Sequence, residues 1–243
     1  MPTPDRAGGE PTTAPRPWFD ATGKAGTVLL IGVAGDLLLG AAHVINQGGL
    51  PILDRSIMLF DLDAERSIPT WWASSKLLLI GVTFALMLPA WRGRWREWAV
   101  VALAAAAFLF LSLDEVASIH EAVGRRTRSE AFPVSGLWPF VYAATGLIAV
   151  SGLAIAGRVV WAADMVAAVT IVVGFVAYIG FAAVLDLANN VLVPGDARLG
   201  ALVLAEEMGE LLTASVILYG VVRLAAASAG DRFRPAGSAR QPR

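Results

Sequence analysis

The stretch that decides the fold is Met165-Val-Ala-Ala-Val-Thr-Ile-Val-Val-Gly-Phe-Val-Ala-Tyr-Ile-Gly-Phe-Ala-Ala-Val-Leu185, which lies between Asp164 and Asp186. It holds 21 residues without a charged side chain, and about 20 such residues let an α-helix cross the hydrocarbon core of a bilayer. Apolar runs of similar length recur along the chain. In lipid, every backbone polar group has to be satisfied within the protein, so these runs predict helices packed against helices. We therefore predict an all-α, multi-pass membrane bundle.

The composition agrees with this fold class. Of the 243 residues, 56% are hydrophobic and 16% are charged, whereas a soluble domain has about 25% charged residues. The absence of cysteine excludes disulfides, iron-sulfur clusters and thiolate metal sites. The formal net charge of -1 indicates nothing about partners, and nucleic acid is not expected as one. The ends, residues 1–23 and 227–243, are rich in Pro, Gly and charged residues and predict disordered arms around one transmembrane domain, 24–226.

The hydrophobic pattern predicts about six transmembrane helices, over residues 25–47, 70–91, 98–123, 137–157, 162–191 and 200–224. Pro69 marks the start of the second helix, Gly124 the end of the third, and Pro194 the gap between the last two. The connection 48–68 is expected to lie on the membrane surface as a short interfacial helix or a lid. Lys and Arg are more frequent at the end of the bundle that holds both termini, so both termini are predicted to be cytoplasmic.

Acidic side chains inside apolar spans are costly, and they indicate a functional site. The chain has eight within or at the ends of its predicted spans: Asp36, Asp114, Glu115, Glu121, Asp186, Glu206, Glu207 and Glu210. A rise of about 1.5 Å per residue places Asp36, Asp114 and Glu210 about 14–16 Å from the non-cytoplasmic end of their helices. Asp186, Glu206 and His43 lie about 6–10 Å from the same end. The sequence therefore predicts one pocket in the non-cytoplasmic half of the bundle.

Charge balance points to a bound cation in this pocket. Lys76 is the one basic side chain predicted inside the same half, and isolated buried carboxylates cost several kcal/mol each. Both histidines of the chain lie at this end, and carboxylate with imidazole suits divalent zinc, iron or manganese. The predicted ligands are Asp36, His43, Asp114, Glu115, His120, Asp186, Glu206 and Glu210, with Glu207 or Glu121 as a catalytic base. His120 lies about 100° from the face of the third helix that carries Asp114, unless the last turn of that helix unwinds.

Three functions fit such a site. The first is a metal-dependent membrane enzyme that activates water or oxygen against a lipid-like substrate entering from the bilayer. The second is a cation- or proton-coupled transporter. The third is a sensor or accessory subunit whose polar cluster only holds the helices together. The sequence gives no indication of the oligomeric state.

A family resemblance rests on two segments, Leu59-Phe-Asp-Leu-Asp-Ala-Glu-Arg-Ser-Ile-Pro-Thr-Trp71 and Phe108-Leu-Phe-Leu-Ser-Leu-Asp-Glu-Val-Ala-Ser-Ile-His-Glu121. They resemble a group of uncharacterised bacterial multi-pass membrane proteins, and the likeness covers roughly the second and third helices and their connection. It implies a location in the bacterial inner membrane and carries no known activity. A looser similarity is to the membrane hydrolases that include alkaline ceramidases, which bind zinc through three histidines. This chain has only two histidines and no His-x-x-x-His pair.

Overall fold

The protein is helical throughout the part of the chain that the computed structural model describes, residues 21–47, 58–64, 66–130, 136–141, 143–144, 146–147, 164–189 and 197–232. Its bounded α-helices are α1 (Ala21–Gln47), α2 (Ile68–Met87), α3 (Trp95–Ala117), α4 (Ile119–Thr127), α5 (Met165–Gly180), α6 (Asp186–Asn189) and α7 (Ala197–Arg232). Short 3-10 turns cover Met58–Phe60 and Leu88–Trp91, and a π-helical segment, Phe181–Leu185, joins α5 to α6. These residues contain no β-strand, so the predicted all-α class is confirmed for them.

Five of the described helical segments are long and apolar enough to cross a membrane: Gly23–Gln47, Ile68–Trp91, Trp95–Ala117, Met165–Leu185 and Gly200–Ser228. They correspond to the predicted spans one, two, three, five and six. The predicted fourth span, 137–157, lies largely outside the described residues, as do residues 1–20 and 233–243 of the predicted arms. The described parts of the arms, residues 21–23 and 227–232, are helical and belong to α1 and α7, so the prediction of disorder is wrong there. The count of six and the cytoplasmic termini therefore stay predictions.

Tryptophans mark both ends of the α2–α3 pair. Trp71, in the first turn of α2, is 64% exposed, and Trp95, the first residue of α3, is 73% exposed. The two helices pack side by side, and only the turn Leu88–Arg94 joins them. They therefore run antiparallel, and the two tryptophans lie at opposite ends. Exposed indoles at both ends of an apolar bundle are typical of the two membrane-water interfaces.

The start of α2 follows from its local sequence. Ser67 is the N-cap, and its side-chain oxygen accepts a hydrogen bond from the backbone N–H of Thr70 at 3.2 Å. Pro69 occupies the first turn, where its missing N–H costs nothing. The Thr70 hydroxyl donates to the carbonyl of Ala64 at 2.8 Å and fastens the preceding loop to the helix. The helix therefore begins two residues before the predicted position.

The core lies around α7, which packs against α1, α2 and α5. Between α2, α3 and α5, the rings of Phe84 and Phe108 stack at 6.0 Å and those of Phe108 and Phe175 meet edge to face at 5.6 Å. Glycine permits the closest approach to the π-helical segment, because a Cβ on Gly209 of α7 would lie 2.3 Å from the ring of Phe181. This packing places the N-terminal half of α7 against α2 and the π-helical segment.

A break interrupts the predicted third span. α3 ends at Ala117, Ser118 takes up a left-handed conformation (φ 52°, ψ 41°), and α4 starts at Ile119. Among the described residues, Ser118 is the one non-glycine residue with positive φ, and a left-handed conformation costs an L-residue about 1–2 kcal/mol. The prediction of one continuous helix over 98–123 is wrong at this point. No proline or glycine marks the break in the sequence, so the propensity pattern did not indicate it.

Candidate functional site

Three glutamates from two helices line one small space near the predicted non-cytoplasmic end. Glu115 of α3 faces Glu207 and Glu210 of α7, and Tyr178 of α5 completes the polar wall. The remaining lining is apolar and comes from Pro69, Ala73, Leu77, Leu211 and Ala214. The space between them is about 10 Å³, which corresponds to about one water molecule. We call Glu115, Tyr178, Glu207 and Glu210 the carboxylate pocket.

Negative charge dominates the carboxylate pocket. Glu207 interacts electrostatically with Glu210, Glu115 and Glu206, and it also feels Asp63 of the loop above α2. The hydroxyl of Tyr178 makes a hydrogen bond to Glu210. None of the lining residues is basic. Carboxylates this close repel one another when ionised, and either protons or a cation must relieve that repulsion.

His120 is turned onto Asp114 by the Ser118 break. The backbone N–H of His120 donates to Asp114 Oδ1 at 2.8 Å, and its Nδ1 lies 3.1 Å from Asp114 Oδ2. The Asp114 side chain is 1% exposed and that of His120 is 29% exposed. The unwinding that would bring His120 to Asp114 is therefore present, and the pair lies beside the carboxylate pocket, where His120 interacts electrostatically with Glu210.

The contact with Asp114 favours the tautomer of His120 that carries its proton on Nδ1. If Nδ1–H donates to the carboxylate, Nε2 carries no proton, and it can accept one or bind a metal ion. The imidazole also lies against the ring of Trp138, with 5.9 Å between ring centroids. His120 is thus held on one side by a carboxylate and on the other by an aromatic ring.

Asp36 is held in a separate network on the α1 side of the bundle. Its Oδ1 accepts from Lys76 Nζ at 2.6 Å and from Trp72 Nε1 at 2.8 Å, and its Oδ2 accepts from the Ser215 hydroxyl at 2.6 Å. Lys76 also donates to the carbonyl of Leu211 at 2.6 Å. Both charged side chains are buried. The lysine that the sequence places in this half of the bundle therefore forms its close ion pair with Asp36.

His43 anchors the loop that precedes α2. Its Nδ1 accepts a hydrogen bond from the backbone N–H of Leu62 at 3.0 Å, so Nε2 carries the proton in this arrangement. Asp61 Oδ1 lies 3.3 Å from the same Nδ1, and Leu62 is buried. Most of the connection 48–68 that was expected to form an interfacial helix or a lid lies outside the described residues, and its described part includes a 3-10 turn, Met58–Phe60, in which Met58 and Leu59 are exposed. The loop thus lies across the end of α1, with His43 beneath it.

Asp63 brings a further carboxylate from this loop toward the pocket. Desolvation raises the pKa of the Asp63 carboxyl above its ordinary value, and the negative charges of Asp61 and Glu121 raise it further, while His43 opposes them. The sequence placed Asp61 and Asp63 in the connection but assigned them no role. The proximity of Asp63 to Glu121 and Glu207 extends the acidic surface from the pocket to the loop.

Of the remaining predicted residues, Glu206 lies beside the carboxylate pocket and Glu121 lies near Asp63. Glu121 pairs with Arg125 at 2.6 Å on an exposed face, where its side chain is 41% exposed. Glu206 is partly buried and interacts with Glu207 and Glu210. Asp186 lies in α6, and its side chain is outside the described residues. Within the part of the chain that the structure describes, no three His, Asp or Glu side chains are arranged to hold a metal ion as they stand.

Sequence reasoning missed two partners that define the site. Depth alone could have paired Lys76 with Asp36, since they lie about 12 Å and about 16 Å from the same membrane end at 1.5 Å per residue. The second missed partner is Tyr178, which makes a hydrogen bond to Glu210. Its hydroxyl could have indicated this role, because a buried tyrosine hydroxyl in an apolar span needs a hydrogen-bond partner.

Comparison with known proteins places the chain in a family. Residues 28–224 match the model of a family described as Domain of unknown function (DUF8692). The match includes every residue of the carboxylate pocket, the Asp114–His120 pair and the Asp36–Lys76 pair. No curated protein and no solved structure matches the chain.

Proposed function

We propose that this chain, which belongs to the family described as Domain of unknown function (DUF8692), is a membrane protein that exchanges protons for a cation at Glu115, Glu207 and Glu210. One observation carries the proposal: these three carboxylates surround a space the size of one water molecule, and its other walls are apolar except for Tyr178. Such a space fits an ion or a water molecule. Family membership supplies no activity, so the proposal rests on the site.

The distribution of basic groups supports a cation. Lys76 interacts electrostatically with Glu115, but its three hydrogen bonds go to Asp36, Leu211 and Ser215. Arg125 pairs with Glu121 on the exposed face. Glu207 and Glu210 each interact electrostatically with Glu115 and Glu206, and protons or a bound cation would relieve this repulsion. A cation that binds there would displace those protons, because the charged carboxylate is the ligand.

A divalent zinc, iron or manganese ion is the occupant that the sequence favours. The carboxylates would have to converge on it, since as they stand they form no ready-made metal group among the described residues. Glutamate side chains allow this because they have flexible stems. Glu206 and His120 lie next to the pocket and would supply additional ligands.

The proposal is tested by thermal unfolding of the purified, detergent-solubilised chain at several pH values, with Mn²⁺, Zn²⁺ or Na⁺ added at constant ionic strength. A bound cation stabilises the folded state by about 2.7 kcal/mol at a concentration of one hundred times its Kd. The stabilisation should grow as the pH rises, because fewer protons then compete. The triple variant E115Q/E207Q/E210Q should lose it.

Two glutamates outside the pocket give matched controls for this measurement. Glu97 pairs with Arg94 at the opposite end of α3, and Glu121 pairs with Arg125 at the rim. Glu97→Gln and Glu121→Gln should keep the cation effect. The proposal fails if no cation changes the unfolding temperature at any pH, or if the control variants lose the effect as fully as the triple variant. Cation flux into proteoliposomes, measured with the same variants, would show whether the exchange serves transport.

A second candidate function is a membrane enzyme, and the Asp114–His120 pair favours it. An imidazole whose Nδ1–H is held by a buried carboxylate presents Nε2 as a general base, and here it lies beside the proposed cation site. In this version His120 takes the role that the sequence gave to Glu207 or Glu121, and the substrate is a lipid-like molecule that enters from the bilayer. Incubation with bacterial lipid extract should convert a lipid species with the wild type and not with His120→Gln. Equal conversion by both, or none by either, would rule out this role.

A further inference from the structure

The turn between α2 and α3 concentrates positive charge at the end of the bundle opposite the carboxylate pocket. Its sequence is Trp91-Arg-Gly-Arg-Trp-Arg-Glu-Trp98, and we call these residues the basic turn. Arg92, Arg94 and Arg96 are all exposed. Gly93 has φ +88°, which a glycine adopts without strain and which reverses the chain within a few residues. Three guanidinium groups are thereby displayed on one short turn, against the single carboxylate of Glu97.

Tryptophan rings hold two of the guanidinium groups. The Arg94 Cζ lies 5.1 Å from the ring of Trp91, which is buried, and the Arg96 Cζ lies 5.4 Å from the ring of Trp95. Stacking on a ring face restrains a guanidinium while its N–H groups remain able to donate. Arg94 also reaches Glu97 at 3.3 Å, a distance typical of a weak surface pair. The arrangement offers two ring-stacked guanidinium groups and the exposed guanidinium of Arg92 to a phosphate.

The surroundings of the basic turn are apolar and exposed. Trp95 is 73% exposed and Trp98 is 44% exposed, and Leu86 of α2 and Leu103 of α3 lie exposed within about two turns of them. Indoles at this position lie at the level of lipid headgroups, and the leucines lie at the level of acyl chains. A ligand that fits both features has a negative headgroup on an apolar body. We therefore propose that the basic turn binds the headgroup of an anionic phospholipid.

The proposal is tested with delipidated, full-length protein in an uncharged detergent, titrated with short-chain phosphatidylglycerol or phosphatidylcholine while thermal unfolding is followed. Phosphatidylglycerol should raise the unfolding temperature of the wild type more than phosphatidylcholine does. Each arginine contributes about fivefold in affinity, so R92Q/R94Q/R96Q should bind phosphatidylglycerol roughly a hundredfold more weakly. Added salt should weaken binding to the wild type. Glycerol phosphate, the soluble headgroup, should have little effect because it lacks the apolar body.

The chain contains its own control in Arg125, Arg126 and Arg128, a similar basic run near the carboxylate pocket. R125Q/R126Q/R128Q should retain the preference for phosphatidylglycerol, and R92K/R94K/R96K should retain most of it because the charges remain. Equal loss in both glutamine triples would show a general charge effect and overturn the assignment. The assignment also fails if R92Q/R94Q/R96Q binds phosphatidylglycerol as the wild type does. If glycerol phosphate reproduces the full effect, the site is one for free phosphate and the lipid assignment is wrong.

Discussion

His120 contacts the carboxylate of Asp114 twice, through its backbone N–H at 2.8 Å and its Nδ1 at 3.1 Å, although the two residues would point in different directions on one continuous helix. The left-handed residue Ser118 makes both contacts possible because it ends α3 and restarts the chain as α4. A strained residue between the two members of a partly buried pair is typical of a position where geometry is kept for function.

The strain at Ser118 predicts an order of stability among its variants. Ser118→Ala and Ser118→Gly both remove the hydroxyl, so they differ in the cost of the left-handed conformation. The free energy of unfolding of Ser118→Ala should therefore be about 1 kcal/mol lower than that of Ser118→Gly. Chemical denaturation followed by tryptophan fluorescence measures the difference. If alanine proves the more stable of the two, the chain does not hold φ near 52° at this position.

The Asp36–Lys76 ion pair predicts strong energetic coupling between a residue of α1 and a residue of α2. Asp36→Leu or Lys76→Met alone leaves one buried charge without its partner, which should lower the free energy of unfolding by about 3–5 kcal/mol. The double variant D36L/K76M removes both charges and should be much closer to the wild type. A double-mutant cycle from denaturant unfolding measures this coupling. Additive losses would show that the two side chains do not depend on each other.

Part of this arrangement could be predicted from the sequence, and part of it could not. The positions of five spans were predictable because a bilayer requires about 20 apolar residues. The predicted pocket included Glu115, Glu207 and Glu210, and these three residues line one space. The separation of Asp36 from that group was not predictable, since depth fixes a level in the membrane and says nothing of lateral position. The helix break at Ser118 was not predictable either, because local helix propensity gives no sign of it. The break is seen only with the tertiary contact between Asp114 and His120.

The contact of His43 with the loop predicts that this histidine protects the chain from proteolysis. His43→Ala leaves the buried N–H of Leu62 without its acceptor, which costs about 1–3 kcal/mol and should loosen residues 58–67. Arg66, which is exposed in this segment, should then be cut faster by trypsin. His120→Ala is the control, since His120 contacts α3 and should leave that cleavage rate unchanged. Cleavage at the wild-type rate in His43→Ala would exclude the anchoring role.

The contact between Asp164 and Arg223 predicts a pH-dependent link at the opposite end of the bundle. Asp164 is the N-cap of α5, where it accepts from the N–H of Ala167 at 3.1 Å, and its Oδ2 lies 2.6 Å from Arg223 Nε of α7. Desolvation is the largest single influence on the Asp164 carboxyl and raises its pKa. The hydrogen bonds from Ala167 and Arg223 together outweigh it and hold the pKa below the ordinary 3.8. The ionised form is therefore favoured in the folded protein, and the stability it contributes is present above about pH 4 and lost as the pH falls through the lowered pKa.

Asp164→Asn isolates this charge, because the amide oxygen still caps the helix. The variant should be less stable than the wild type by a constant amount from neutral pH down to about pH 4, and the difference should shrink below that value. Unfolding temperatures of both proteins measured across the acid range provide the test. Arg223→Gln should show the same pattern, since it removes the other partner of the same contact. A difference that persists unchanged at the lowest pH would mean that the carboxylate charge is not what joins α5 to α7.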